Sequence, residues 1–235
     1  MSSRVALITG SSKGIGLSLT KFLLEEKFHV YGYSRTNKLK NPNFCFHKTD
    51  LSDLNTLKNI IFPTLDSSEE IFLINNAGEI GDIKKYGNKD LESIINEINI
   101  NLSAPTIICN KFIKKYGGLK SKLTIINISS GAALRPIKSW GTYCQSKAGI
   151  DMLTKIINEE NEKIKAYSIY PGVVNTEMQE KIRNTSVENF PLKDKFVDYY
   201  EKNQLTNPET VASKIYYIMS NLSEFNTNLI SLRDF

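Results

Sequence analysis

The chain is poor in metal-binding and redox side chains, with three cysteines and two histidines in 235 residues. Cys45, Cys109 and Cys144 are odd in number and lack CxxC spacing, which argues against a disulfide framework and a zinc site. His29 and His47 sit in strand-like runs far from any second ligand, so no metal is expected. No apolar run approaches the ~20 residues of a membrane span. The N-terminal RVALIT reads as a short strand, not as the apolar segment of a signal peptide. Charge of one sign is not massed either. The net charge is +5 with scattered lysines, weak grounds for a nucleic-acid partner. These absences predict a reducing, cytoplasmic setting without membrane or nucleic acid.

What is present is ordinary globular composition, 40% hydrophobic and 23% charged, arranged with a clear alternation. Strand patterns cover Val5–Thr9, Phe28–Ser34, Phe44–Thr49, Glu70–Asn75, Leu123–Ser129, Ile164–Tyr170 and Asn228–Leu232. Helical patterns lie between them. Ile15, Leu19, Phe22 and Leu23 share a face, as do Ile150, Leu153, Ile156 and Ile157 in a helix over about 140–161. Asn207–Pro208 reads as the start of a late helix, and Lys114, Lys115 and Gly117 as the end of another, with the lysines on its last carbonyls. A further helix is expected over Leu51–Phe62, capped by Asp50 or Ser52. Strand–helix alternation throughout predicts one α/β domain over residues 1–235, a doubly wound parallel sheet with helices on both faces. The least regular segment, about 175–206, mixes polar residues with Met178, Ile182, Phe190 and Phe196, and is expected to form a helical lid.

The special residues fall at the carboxyl ends of six successive strands, where open α/β sheets bind ligands. In TGSSKGIG, Gly10 permits the turn out of the strand, Gly14 permits close backbone approach to a pyrophosphate, and Gly16 permits helix–sheet packing. The candidate contacts here are Gly10, Ser12, Lys13, Gly14, Ile15 and Gly16. Strand two ends in Ser34, Arg35 and Thr36, with no acid to pair with a ribose diol. Arg35 and Lys13 suit a 2′-phosphate, which predicts NADP(H). Asp50 and Leu51 follow strand three, where Asp50 suits either an adenine amino group or a helix cap. Asn76, Ala77 and Gly78 follow strand four, and Pro171–Gly172 follow strand six.

Tyr143 and Lys147 are four apart, on one face of a helix. The neighbouring ammonium is expected to lower the phenol pKa from its usual value near 10. Ser130, at the mouth of strand five, can donate to a carbonyl oxygen as it gains charge.

With Thr9–Gly16, Asn75–Gly78, Ser130/Tyr143/Lys147 and Pro171–Gly172 with Thr176, the chain resembles the short-chain dehydrogenase/reductase superfamily over essentially its full length. The resemblance implies a Rossmann-type sheet of about seven strands and a homodimer or homotetramer. It implies Tyr143 as general acid, Lys147 on the nicotinamide ribose, and Ser130 on the carbonyl. Asn101, or less naturally Asn99, would keep a relay water, and Val174 and Thr176 would hold the carboxamide. INISSGAA, SWGTYCQSKAGIDM and PGVVNTEMQEKIR are similar to the benzil reductases and the sepiapterin-reductase-like group. That implies NADPH-dependent reduction of a small ketone such as an aromatic 1,2-diketone. The implied apolar pocket would draw on Ala133, Leu134, Trp140, Tyr170, Val173 and Met178. Two alternatives share the motifs: a 3-oxoacyl thioester reductase, and a non-catalytic NADP-sensing regulator. The regulator is disfavoured because the Tyr and Lys are both kept.

Overall fold

A computed structural model describes residues 4–65 and 68–234. Seven strands form one parallel sheet: β1 (Arg4–Thr9), β2 (His29–Ser34), β3 (Phe44–Lys48), β4 (Glu70–Asn75), β5 (Lys122–Ile128), β6 (Ile164–Tyr170) and β7 (Leu229–Ser231). Their order is β3-β2-β1-β4-β5-β6-β7. The winding direction reverses between β1 and β4, which opens a crevice beyond their carboxyl ends.

The helices are α1 (Gly14–Glu25), α2 (Leu54–Asn59), α3 (Leu91–Ile98), α4 (Ala104–Tyr116), α5 (Gly141–Glu160), α6 (Glu177–Arg183), α7 (Lys193–Glu201) and α8 (Pro208–Ser220). A π-helical turn, Asn99–Ser103, joins α3 to α4. Strand residues alternate between two cores, as a pleat requires. Ala6, Ile8, Phe72, Ile74, Ile126 and Ile169 pack with Leu19 and Leu23 of α1 and Val211 and Ile215 of α8. Val5, Leu7, Ile71, Leu73, Ile125 and Ala166 pack on the other face with Leu57, Ile108, Phe112 and Ile157. Each fully buried aliphatic side chain of this kind contributes about 1.5–3 kcal/mol. The expected apolar stripes thus select both faces of the sheet, except that Ile156 of the α5 stripe is exposed.

Two local expectations are corrected. The helix predicted over Leu51–Phe62 is shorter, and its cap is Asp53, which accepts from the backbone N–H groups of Asn55 and Thr56. The Asp50 carboxylate is already occupied by the Ser52 N–H and hydroxyl, at 3.0 and 2.7 Å, and this local turn delays the helix start. Lys115 does not serve its own helix end. It donates to the Phe62 carbonyl, while Lys111 donates to those of Lys58 and Ile60, so α4 pins the segment after α2.

A buried polar chain ties the sheet to α5. Asn75 donates to Asn127 at 2.8 Å, Asn127 donates to Thr154 at 2.9 Å, and the Thr154 and Ser168 hydroxyls lie 2.8 Å apart. Removing the central amide leaves one Asn75 N–H without its acceptor, while Thr154 keeps its bonds to the Ile150 carbonyl and Ser168. Asn127→Ala should therefore cost roughly 1–3 kcal/mol in urea denaturation. A loss below about 0.5 kcal/mol, the scale of an ordinary surface substitution, would mean that the chain is not holding α5.

Candidate active site

One cleft of about 1430 Å³ runs along the carboxyl ends of the strands. Of the residues expected to contact a coenzyme, Gly10, Ser12, Lys13, Gly14, Ile15, Ser34, Arg35, Asp50, Leu51, Asn76, Ala77, Gly78, Pro171, Gly172, Val174 and Thr176 line it. Gly16 and Thr36 do not. Gly16 lies beneath the turn, where a Cβ would overlap the Gly10 carbonyl and the Asn76 amide. The Thr36 carbonyl accepts from the Ser34 hydroxyl at 2.8 Å.

The turn is shaped for close approach of a ligand. Gly10 and Gly14 have φ of +68° and +52°, values that disfavour side chains. Thr9 and Asn76 lock the turn to β4: the Thr9 hydroxyl accepts from the N–H groups of Asn76 and Ala77, and the Asn76 amide donates to the carbonyls of Thr9 and Gly10. No side chain caps α1, leaving its first-turn amides at the cleft beside Gly14 and Ile15. Uncapped amides and a backbone bare of Cβ atoms fit the pyrophosphate of a dinucleotide. Lys13 is ion-paired with Glu177 of α6 across the cleft mouth. Arg35 is exposed at the end of β2 and near enough to Asp50 to help lower that carboxyl's pKa, behind the larger effect of the Ser52 hydrogen bonds.

Ser130, Tyr143 and Lys147 line the same cleft. The Ser130 hydroxyl accepts from the Ala132 N–H at 3.1 Å. The Lys147 ammonium, buried, donates to the Ile128 carbonyl at 2.7 Å and lies 5.7 Å from the Tyr143 ring centroid. The expected downward shift of Tyr143 is not found. Burial pushes the phenol up to about 12, opposed by its hydrogen bond with Ser130. Burial also lowers Lys147 to about 8, with Asp151 opposing. Desolvation is the largest cause of both shifts.

Asn101 is buried off the cleft wall. Its side chain is spent on the backbone of Glu79, accepting from the N–H at 2.9 Å and donating to the carbonyl at 2.7 Å. One donor and one acceptor position of the amide are engaged in this way, and Asn101 Oδ1 and Lys147 Nζ both lie beside Gly78. These bonds fix the Gly78–Glu79 wall.

Of the expected pocket residues, Leu134, Trp140, Tyr170, Val173 and Met178 line the cleft and Ala133 does not. Ala133 closes the short turn after Ser130, its N–H donating to the Ser130 carbonyl. Trp140 stacks on Phe190 with centroids 5.2 Å apart and meets Tyr143 edge-on at 5.7 Å and Phe196 at 5.4 Å. These contacts join α6, α7 and α5 in one apolar cluster. The Tyr170 hydroxyl donates to Asp151 at 2.6 Å. Phe196 and Tyr199 of the expected lid also line the cleft, whereas sequence reasoning missed Tyr33, Thr49, Glu79, Ile80, Lys181 and Arg233 on the wall, because no motif marks them.

It also missed a buried charge behind the wall. Glu97 of α3 is fully buried, and neither of its oxygens has a hydrogen-bond partner among the described residues. Lys89 lies 3.5 Å away, with its ammonium donating to the Asp82 carbonyl. Gly81, at φ +61°, leaves room for the carboxylate.

The fold and cleft define a dinucleotide-binding α/β protein with a Ser–Tyr–Lys constellation. Residues 4–187 match the family model described as short chain dehydrogenase. The chain is 38% identical over 229 residues to the benzil reductase ((S)-benzoin forming) of Bacillus cereus, covering 90% of this chain and 92% of that protein. It is 34% identical to the enzyme of the same name from Bacillus subtilis (strain 168), covering 97% and 98%. The solved structure of a 4-hydroxyisoleucine dehydrogenase complexed with NADH superposes with a TM-score of 0.80 at 26% identity, covering 97% and 96%. The chain belongs to the short-chain dehydrogenase family, oxidoreductases that use nicotinamide coenzymes. No helix among the described residues is long and apolar enough to cross a membrane.

The Glu97 carboxyl, raised by burial from 4.5 to about 7, makes stability pH-dependent. Between those values the folded state binds the extra proton, so stability from this group is full below about 4.5 and falls as pH rises to about 7. Glu97→Gln cannot ionise and should gain on the wild type over that interval, by up to about 3 kcal/mol. Urea denaturation at pH 4.5 and 7.5 reads the difference; parallel pH dependences would refute it.

Proposed function

We propose that the protein is an NADPH-dependent carbonyl reductase acting on a small ketone, with an aromatic 1,2-diketone such as benzil as the leading substrate. The support is the convergence of Ser130, Tyr143 and Lys147 on a cleft that begins at the Gly10–Gly16 turn, in a chain 38% identical to a benzil reductase. Gly10, Ser12, Gly14, Ile15 and the amides of α1 would hold the pyrophosphate. Asp50 and Leu51 would flank the adenine, Asn76–Gly78 and Lys147 the nicotinamide ribose, and Pro171, Gly172, Val174 and Thr176 the carboxamide. The coenzyme, when bound, supplies the hydride to the carbonyl carbon.

The chain's own groups supply the proton. At neutral pH a phenol pushed to about 12 is protonated and can donate to the carbonyl oxygen. Ser130, its oxygen engaged by the Ala132 N–H, can direct its own proton to the same oxygen. Lys147 can return a proton to the spent phenolate. Trp140 and the aromatic side chains of 190–199 exclude water and present a flat apolar wall. Helices α6 and α7 serve as the cover of the substrate end. Leu91 and Ile95 on α3, and Met152 and Ile156 on α5, are exposed apolar side chains that support self-association through those helices.

Tyr143→Phe should retain NADPH binding by fluorescence while benzil reduction falls by about 10²–10⁴. Unchanged turnover would assign the acid elsewhere. Coenzyme choice rests chiefly on Arg35, because Lys13 must first leave Glu177. Wild-type kcat/KM should favour NADPH over NADH by about 10–100-fold, the worth of a charge-assisted pair. Arg35→Asp should erase that preference. NADH used as well as NADPH by the wild type would remove the argument.

A further inference from the structure

The charge of the molecule is concentrated in its cleft. The wall carries eight lysines and arginines against four carboxylates, in a chain with 30 basic and 25 acidic side chains in all. The remainder is close to neutral. The coenzyme end, through Lys13, Arg35 and Lys147, uses three of these cations. The other five surround the substrate end: Arg135 and Lys138 before α5, Lys181 on α6, Lys195 on α7 and Arg233 after β7. None of the five makes an ion pair with another described residue. The carboxylates at that end are few. They are Glu79, Asp234 and Glu177, the last paired with Lys13.

These cations come from four separate segments and share the cleft with the apolar side chains of Trp140, Phe196 and Tyr199. The Lys195 ammonium lies 5.8 Å from the Tyr199 ring centroid, and Tyr199 packs with Phe196. The Arg233 Nε stands 3.2 Å from the point a Cβ of Gly172 would occupy, beside the Pro171–Gly172 turn. A neutral diketone has no use for such a rim. Like charges gathered around one mouth repel one another, and an anion entering it relieves that repulsion. A cleft lined by one sign of charge also focuses its field and raises the local concentration of oppositely charged ligands.

We propose that the preferred substrate is a carbonyl compound with an apolar, aromatic body and a carboxylate, the ring lying on the Trp140–Phe196 wall and the carboxylate meeting the cationic rim. This rests on the reductase reading only for the reacting carbonyl; the anion preference itself concerns binding.

Trp140 is the single tryptophan and lines the cleft, so its fluorescence reports occupancy without turnover. The chain is titrated with biphenyl-4-carboxylate and with neutral biphenyl-4-methanol, at low salt and in 0.3 M NaCl. In parallel, 4-carboxybenzil and benzil are compared as substrates with NADPH. The carboxylate should bind, and 4-carboxybenzil react in kcat/KM, about tenfold better than its neutral partner at low salt. Most of that advantage should vanish in high salt, where exposed charges are screened. The double substitution Lys138→Gln with Lys195→Gln should lower the same ratio. Equal binding of both ligands, or a preference indifferent to salt, overturns the proposal. If benzil is reduced but the carboxylate brings no advantage, the rim fails and the reductase reading stands. If the carboxylate binds preferentially but neither diketone reacts, the reverse holds.

Discussion

The hydrogen bond from the buried Lys147 ammonium to the Ile128 carbonyl joins the two elements on which the site is built. Strand β5 ends at Ile128, two residues before Ser130, and α5 carries both Tyr143 and Lys147. A cation taken out of water needs such a partner, since burial without one costs several kcal/mol. The bond therefore fixes the phase of α5 about its own axis as well as its distance from the sheet. With that phase set, Tyr143, one turn earlier, faces the cleft. The Asn127–Thr154–Ser168 chain repeats the attachment two turns further along the helix.

The same burial decides protonation. Tyr143 and Lys147 are each pushed toward their neutral forms, the phenol up and the ammonium down. For the proposed reduction this is a consistent pair of states. The proton donor is kept protonated, and the group that would recharge it is brought closer to neutrality, where it gives up a proton more readily. Glu97, a few side chains behind, adds a negative field that also disfavours the phenolate. The three groups form one electrostatic unit assembled from two helices.

The sequence made legible whatever depends on residue identity and order. The sheet follows from alternating apolar runs, and its strand ends follow from the glycine and Asn-Ala-Gly motifs. Tyr143 and Lys147 follow from helical spacing. What was illegible depends on which side chains meet across long separations. Lys13 pairs with Glu177, 164 residues away, which no local pattern foretells. The direction of the Tyr143 shift required knowing that it is covered by Trp140 and its neighbours. Asn101 was placed near the site by its motif, but its hydrogen bonds to the Glu79 backbone, from within a π-helical turn at 99–103, carry no local signal. Glu97 carries no motif at all.

The cleft's two ends are bound to each other by the segment that the sequence describes least. Residues 175–206 contribute Glu177 to the glycine turn through Lys13, and Phe190 and Phe196 to the face of Trp140. The first contact is an exposed ion pair, worth little in water and easily exchanged for a phosphate. The second is an aromatic stack, stronger and dry. A ligand that takes Lys13 from Glu177 thus removes one weak contact of α6, while Gln179 and Ile182 of that helix stay buried. Helix α6 thus borders both ends of the cleft, with Glu177 at the glycine turn and Lys181 on the wall.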